Sequence, residues 1–299
     1  MLYAVTHSTT YVYADAVSLC HNLVHLRPRI APRQTVHETR LLVSPEPRGL
    51  VHRHDYFGNP IALFTIQEPH KKLEITVKHR IEISGEPSRV SGRFTWEEVR
   101  DLLKSDRALI DARQFTFDSH YIQRSAALRD YALPSFAPGR PLFDAVTDLT
   151  ARIHREFRYD AKATTLATPL GDVLAHRHGV CQDFAHLGIG CLRSMGLAAR
   201  YVSGYLQTNV PDGVERLVGA DASHAWLSVY CPDATVPHLP QGGMGGWVDF
   251  DPTNNQIPSD RHLTIAWGRD YDDVSPIKGV ILGGGKHSMT IAVDVAVQA

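Results

Sequence analysis

The order in which strand-like and helical patterns follow one another is the feature of this sequence that most constrains its fold. Residues 1–85 alternate apolar and polar side chains, which is typical of half-buried strands. From residue 141 the pattern becomes helical, and strand patterns return only at 199–206, 224–230 and 247–250. A doubly wound parallel sheet needs helices and strands in alternation, whereas segregated elements favour an antiparallel sheet covered by helices. The sequence therefore predicts an α+β fold.

These patterns divide the chain into three regions. Residues 1–85 are predicted to form a small all-β, sandwich-like domain. Residues 86–140 are predicted to form a helical connector, because apolar side chains recur there at helical spacing before a cluster of prolines. Residues 141–299 are predicted to form a core of helices packed on an antiparallel sheet or barrel, with C-terminal strands. Within this last region the run Gly283-Gly284-Gly285 is expected to be a hairpin turn.

Composition and charge exclude several function classes. The 299 residues carry a formal net charge of -1, so the chain has no basic field for nucleic acid or for an acidic membrane surface. The first residues show no basic segment followed by an apolar run, and no stretch approaches the ~20 apolar residues that span a bilayer. A cytoplasmic protein is therefore expected. The cysteines lie far apart without a C-x-x-C pair, which argues against a disulfide framework or a zinc ribbon; they are Cys20, Cys181, Cys191 and Cys231.

A cysteine at the predicted start of a helix is the first candidate for chemistry. Cys181 follows Gly179-Val180, and an apolar helical pattern runs from it to Gly196, a residue type typical of the position after a helix. The N–H groups at a helix N-terminus are unpaired and carry partial positive charge, so they stabilise a thiolate, the nucleophilic form of cysteine. The alternative is a small core residue, which is the usual role of a lone cysteine.

A histidine and an aspartate further along the chain complete a set suited to nucleophilic catalysis. His224 begins one predicted strand, and Asp251 ends the next one, just before Pro252. Adjacent antiparallel strands place opposed Cβ atoms about 5 Å apart, close enough for a hydrogen bond between Asp and His. Such a bond orients an imidazole that shares a proton with a thiol. Asp249 shares a strand face with Asp251 and competes for this role.

Three motifs resemble those of the transglutaminase-like superfamily, and most closely those of its bacterial branch of transglutaminase-like cysteine proteases. They are Gly-Val-Cys-Gln-Asp-Phe-Ala-His at 179–186, Ser-His-Ala-Trp at 223–226 and Trp-Val-Asp-Phe-Asp-Pro-Thr at 247–253. The β-rich start of the chain is also similar to the N-terminal region of this branch, and so is the segment 268–274. The resemblance implies a papain-like α+β fold and an enzyme that needs no cofactor.

The resemblance also implies the site residues. Cys181, His224 and Asp251 correspond to the catalytic cysteine, histidine and aspartate, which act on a peptide, amide or isopeptide carbonyl through a thioester. The backbone N–H of Cys181 is a natural oxyanion donor. Further oxyanion or cleft candidates are Tyr159, Gln182, Trp226, Arg269 and Tyr271; the first two could give a second oxyanion donor, and Trp226 could instead pack in the core.

One position departs from the calcium-activated members of the superfamily. Those enzymes have Trp directly after the nucleophile, whereas this chain has Gln182. The chain also lacks an acidic loop with the ligand spacing of an EF-hand. Calcium activation is therefore not expected, and hydrolysis is at least as probable an outcome as transfer to an amine. The substrate is expected to be a peptide, a protein or a small amide.

Two other functions stay open at the level of sequence. A non-catalytic interaction module could retain the fold, and it would have an unreactive Cys181. A zinc-dependent hydrolase could use the N and S ligands of the run from His176 to His186, which also contains His178 and Cys181. The spacing of that run matches no standard zinc site, and it crosses a junction between loop and helix, so no metal is expected.

Overall fold

A computed structural model describes residues 1–85, 89–166, 168–207, 223–235 and 246–298. The strands are β1 (Leu2–Val24), β2 (Gln34–Ser44), β3 (Leu50–His54), β4 (Pro60–Ile66), β5 (His70–Ile83), β6 (Arg89–Val90), β7 (Arg158–Tyr159), β8 (His178–Gly179), β9 (Ala199–Leu206), β10 (Ser223–Tyr230), β11 (Ala234–Thr235), β12 (Trp247–Phe250), β13 (His262–Gly268), β14 (Ile277–Gly283) and β15 (His287–Gln298). The α-helices are α1 (Trp96–Ser105), α2 (Ile110–Arg113), α3 (Ala126–Ala132), α4 (Leu142–Glu156), α5 (Leu170–His176), α6 (Cys181–Ser194) and α7 (Tyr271–Val274), and short 3-10 helices span Arg107–Leu109, Gln114–Thr116 and Leu133–Ser135.

The first sheet is built around β1, a strand of 23 residues. Strands β5 and β4 pair antiparallel with β1 along one edge, and β2 and β3 pair in turn with β5 and β4. Strands β15 and β14 pair antiparallel with β1 along its other edge, from Leu2 opposite Gln298 to Val24 opposite Ile277. The end of the chain therefore completes the sheet that the beginning of the chain starts.

The three-glycine run is a short interruption of this long pairing that keeps its register, so the prediction of a hairpin turn is wrong. Strands β14 and β15 both run antiparallel to β1 and follow one another along it, whereas a hairpin would reverse the chain. Gly283, Gly284 and Gly285 have φ values of 93°, 87° and 60°. This left-handed backbone is accessible to glycine without strain. The Gly284 N–H donates to the Ala16 carbonyl at 3.3 Å, which keeps the two strands together through this interruption.

The second sheet has four antiparallel strands in the order β12-β10-β9-β13, and α6 packs against its two central strands. The helix approaches β10 closely: a Cβ added at Gly188 would lie 2.5 Å from Leu227 Cδ2. Along α6 every residue from Asp183 to Arg193 is buried. A helix covering a curled antiparallel sheet, preceded by a β-rich region, confirms the α+β fold class.

One apolar core joins the two sheets and the helices between them. Tyr3, Val5 and Val295 of the first sheet belong to the same buried cluster as Val99 of α1 and Leu187 of α6. The helical connector therefore shares one core with both sheets. The domain boundaries predicted at residues 85 and 140 stay a prediction. Strands β14 and β15 lie after the second boundary in the chain, but they pair with β1 in the first sheet. Within the described ranges, no helix combines the length and the apolar character that crossing a membrane requires.

Candidate active site

Cys181 is the first residue of α6, as predicted, and the segment before it explains the glycine of the motif. The Asp183 carboxylate folds back over this segment and accepts hydrogen bonds from the Val180 N–H at 2.8 Å and from Thr164 Oγ1 at 2.6 Å. A Cβ at Gly179 would lie 2.6 Å from Asp183 Oδ2, so only glycine leaves room for this cap. The half-buried Cys181 thus begins a helix whose end is held in place, with unpaired N–H groups nearby.

His224 lies near the start of β10, where it pairs with Gly204 of β9. A Cβ at Gly204 would lie 2.5 Å from the Trp226 ring and 2.1 Å from the Leu263 carbonyl oxygen, so this glycine makes space for the indole beneath His224. Trp226 and His224 share a strand face, and their ring centroids are 6.0 Å apart. His224 is only 9% exposed, which fixes its ring between the indole and its hydrogen-bond partners.

Asp251 follows β12 and is fully buried. Its Oδ2 accepts from His224 Nε2 at 2.8 Å, from His262 Nε2 at 3.1 Å and from Asn254 Nδ2 at 2.7 Å. Its Oδ1 accepts from the Thr253 and Asn254 N–H groups at 3.0 and 3.2 Å. Burial alone would raise the pKa of Asp251, but these hydrogen bonds outweigh it and lower the pKa, so the carboxylate is ionised.

The proton equilibrium of His224 is set by its two neighbours. Burial lowers the pKa of His224, whereas hydrogen bonds to Asp251 and to Cys181 raise it more strongly, and the pKa reaches about 9. Since Nε2 bonds to Asp251, Nδ1 is the ring nitrogen left for the Cys181 thiol. The imidazolium form therefore lies between a carboxylate and a sulfur atom at neutral pH.

Two of the three residues face a cleft between the two sheets, whereas Asp251 is buried and does not line it. The cleft has a volume of about 610 Å³ and is lined by Cys181 and His224. Thr9 and Tyr11 of β1 and Met289 of β15 line it from the first sheet. The N-terminal and C-terminal strands thus form one wall of the space in front of the sulfur atom.

Two family models match this chain. Residues 3–82 match the model of the bacterial transglutaminase-like N-terminal region, and residues 130–252 match that of the transglutaminase-like superfamily. The chain belongs to the transglutaminase-like superfamily. This membership confirms the resemblance seen in the motifs, and it supports an enzyme of the thiol-dependent hydrolase or acyltransferase kind.

Relatives match this transglutaminase-like chain over nearly its whole length. An uncharacterized protein of Mycobacterium tuberculosis (strain H37Rv) is 40% identical over 301 residues, covering 98% of this chain and 92% of its own. An uncharacterized protein of Mycobacterium leprae (strain TN) is 32% identical over 291 residues, covering 97% of each chain. Among solved structures, a Cytophaga hutchinsonii protein described as a candidate cysteine protease superposes with a TM-score of 0.72 at 22% identity, covering 99% of this chain and 90% of that one. That likeness shows the shared fold.

Sequence reasoning missed His262, the second histidine on Asp251. It begins β13, is 5% exposed, and packs edge-on against Trp226 at 5.3 Å. The Ser259 N–H donates to its Nδ1 at 3.4 Å, so its proton lies on Nε2, which donates to Asp251. The only sequence signal was an alternating strand pattern from His262 to Trp267, which does not indicate a contact with Asp251. Sequence reasoning also missed Asn254, which lies in the turn after Asp251 and belongs to no pattern that would single it out.

The remaining sequence candidates separate into two groups. Tyr159, Gln182 and Tyr271 line the cleft in this transglutaminase-like chain. Burial raises the pKa of Tyr159, and the nearby Cys181 sulfur raises it further.

Trp226 and Arg269 lie elsewhere. Trp226 is fully buried behind His224 and donates to Asp249 Oδ2 at 3.0 Å, so Asp249 supports the indole while Asp251 holds the imidazole. The Arg269 guanidinium binds both carboxylate oxygens of Asp273 at 2.9 Å and does not line the cleft.

The zinc ligands considered from the sequence do not come together in the described part of the chain. His176 and His178 stack on each other at 5.8 Å, whereas His186 is buried in α6 and accepts from the Tyr271 N–H at 3.1 Å. Burial lowers the pKa of His186 to about 3, so its ring is neutral. The side chains that do meet closely enough for a metal ion are His224, Asp251 and His262, whose ligand atoms lie within 4.8 Å of one another. Their mutual hydrogen bonds account for that closeness.

Proposed function

We propose that this chain cleaves an amide bond of a peptide, a protein or a small amide with Cys181 as the nucleophile, His224 as the acid and base, and Asp251 as the group that orients His224. The observation that carries the proposal is the placement of one buried imidazole. His224 bonds to Asp251 at 2.8 Å through Nε2 and lies within hydrogen-bonding reach of Cys181, whose sulfur opens onto the cleft. Such an arrangement gives a nucleophile, a base and an orienting group in contact.

The first half of the reaction forms a thioester. The Cys181 thiolate attacks the carbonyl carbon, a C–S bond forms, and the carbonyl electrons move to the oxygen. The backbone N–H of Cys181 at the start of α6 donates to that oxyanion. Imidazolium His224 then gives its proton to the amide nitrogen, the C–N bond breaks, and the amine leaves.

The second half releases the acyl group. His224 takes a proton from water, the resulting hydroxide attacks the thioester carbonyl, and the C–S bond breaks to give a carboxylic acid and the thiolate. An amine in place of water would give a new amide by the same steps. Asp251 stays ionised throughout and stabilises the imidazolium, which it can do because its buried carboxylate is held by donors on both oxygens.

Two cleft residues could donate the second hydrogen bond to the oxyanion. Tyr159 is 55% exposed and carries a phenolic O–H, and the half-buried Gln182 follows the nucleophile on α6. Both line the cleft with Cys181. Each side chain carries a donor, so replacing them one at a time separates their roles.

The test is to screen blocked peptide amides and a casein digest with the parent chain, Cys181→Ala and Cys181→Ser. The proposal expects cleavage by the parent alone, together with a hydroxamate product when hydroxylamine is added to intercept the thioester. An unchanged rate in Cys181→Ser would overturn the proposal. Loss of cleavage on adding a chelator, with metal found in the purified protein, would instead indicate a zinc hydrolase.

A further inference from the structure

The inner face of the first sheet continues from the core into the cleft. Side chains at alternate positions of a strand share one face. On β1 this face holds Tyr3, Val5, His7 and Thr9, all at most 2% exposed, and then Tyr11, which is half-buried. Burial is therefore nearly complete as far as Thr9 and falls at Tyr11, and both of these residues line the cleft.

The neighbouring strand β15 shows the same change more sharply. Val295 and Val293 are at most 1% exposed because they pack in the core. The next two positions on that face, Ile291 and Met289, are 49% and 53% exposed. Apolar side chains therefore continue along this face of β15 beyond the part that the core covers.

These residues form one continuous surface, which we call the sheet wall: Thr9, Tyr11, Met289 and Ile291. Ile291 pairs directly with Thr9, and Met289 pairs with Tyr11, so the four side chains are neighbours. All four line the cleft that contains Cys181.

Tyr11 of the sheet wall lies near Tyr271, a residue of α7 that also lines the cleft. Burial raises the pKa of Tyr11, and the nearby phenol of Tyr271 raises it further. The ring centroids of Tyr271 and Tyr201 are 6.4 Å apart. Burial raises the pKa of Tyr201, and the nearby Cys181 sulfur raises it further. The sheet wall and the nucleophile thus line the same cleft, and among the described residues that line it none is Asp, Glu, Lys or Arg.

We propose that the sheet wall is a subsite for an apolar side chain of the substrate next to the scissile carbonyl. This inference rests on the proposed function, because it takes Cys181 as the reacting atom. An apolar substrate side chain laid on Met289 and Ile291 removes their exposed surface from water together with its own, which favours binding. The first sheet and the C-terminal strand would then select the substrate.

The test uses alkylating probes, so it requires no known substrate. Iodoacetyl-leucine amide and iodoacetyl-asparagine amide are neutral and similar in size, and they differ in the polarity of the side chain. Their rates of attachment to Cys181 are measured by peptide mass, with plain iodoacetamide as the reference for the reactivity of the sulfur atom. The parent chain is expected to react with the leucine probe about tenfold faster than with the asparagine probe, because hydrophobic pockets discriminate by roughly 10- to 200-fold.

The variants Met289→Gln and Ile291→Thr change polarity with little change in size, and both are compatible with a strand. Each is expected to lower the leucine-to-asparagine ratio at least threefold; because both probes react with the same sulfur atom, this ratio does not depend on the reactivity of Cys181 itself. The matched control is Leu282→Thr, which alters a 63% exposed residue of β14 that does not line the cleft, and the ratio should stay unchanged.

A parent ratio near one, or a ratio that Met289→Gln and Ile291→Thr leave unchanged, would overturn the subsite. Failure of the proposed function looks different. In that case Cys181 would react slowly with iodoacetamide itself at pH 6, and the subsite would fall with it.

Discussion

Replacing Asp251 by Asn tests the hydrogen-bond network around His224 most severely. The carboxylate accepts hydrogen bonds on both oxygens, so an amide NH2 group meets N–H donors whichever way it turns: His224, His262 and Asn254 on one side, Thr253 and Asn254 on the other. Hydrogen bonds to charged groups contribute about 1.5–3 kcal/mol each, and at least two are lost. We therefore expect the free energy of unfolding of the variant to be roughly 3–5 kcal/mol lower than that of the parent.

The effect on reactivity follows from the pKa of His224. The rise from 6.5 to about 9 corresponds to ~3 kcal/mol in favour of the imidazolium. Much of this depends on Asp251, because burial alone acts in the opposite direction. In Asp251→Asn we therefore expect iodoacetamide to label Cys181 at least tenfold more slowly at pH 6. We expect turnover of any substrate to fall roughly 10³- to 10⁴-fold, as in triads that lose this charge.

The matched control is Asp249→Asn. Asp249 lies two residues earlier and bonds to Trp226 instead of His224. This variant should keep the labelling rate at pH 6 within about threefold, since it leaves the imidazole and its partner unchanged. Fast labelling in Asp251→Asn with slow labelling in Asp249→Asn would refute the assignment of Asp251, and fast labelling in both would refute the role of either aspartate.

The same contacts predict how stability depends on pH. The folded-state pKa of His224 lies above its unfolded value, so the folded chain holds the proton more tightly. Its stabilisation is complete below about pH 6.5 and is lost as the pH rises through about 9. Urea unfolding should therefore show that the parent loses up to ~3 kcal/mol between these values, whereas His224→Gln loses less. Equal losses in both chains would contradict the raised pKa.

Two further predictions concern the surroundings of the site. Gly204→Ala should lower the free energy of unfolding, measured with urea, by about 1–3 kcal/mol, because the new Cβ would lie 2.1 Å from a carbonyl oxygen. The control is Gly171→Ala on α5, where a Cβ would meet no atom within 4 Å. This control should leave the free energy of unfolding unchanged or raise it by up to ~1 kcal/mol. Equal effects in the two would contradict the tight packing at Gly204. If Tyr159 is the second oxyanion donor, Tyr159→Phe should reduce turnover roughly 10²-fold with Gln182→Ala near the parent rate, and the reverse result would assign Gln182.

The sequence predicted the parts of the site that depend on local pattern. The helix that starts at Cys181 follows from apolar spacing and from Gly196, which has a φ of 81°. The pairing of β10 with β12, which brings Asp251 to His224, follows from two strand patterns in succession. The predicted loop between them, from Pro232 to Gly246, lies partly outside the described residues.

Most of the contacts that the sequence did not predict depend on which strands pair with one another. Strand β15 pairs with β1, from which it is separated by nearly 300 residues. The alternating pattern of a strand does not indicate which other strand it pairs with. Because of this pairing, the glycine run interrupts a continuous strand pairing instead of forming a hairpin, and Met289 lies at the cleft. His262 reaches Asp251 only because β13 joins the sheet beside β9. Such contacts follow from strand pairing, which depends on how the side chains of the whole core pack together.

The rate of iodoacetamide attachment to Cys181 against pH, located by peptide mass, tests the central claim most directly. The other three cysteines are internal controls, because all are buried and burial raises the pKa of each, to about 12 for Cys191. The account predicts that Cys181 reacts fastest of the four and stays reactive at pH 6, well below the usual thiol pKa of about 8.5. A Cys181 that reacts slowly and gains reactivity only near pH 8.5 would contradict the thiolate–imidazolium pair and the function built on it.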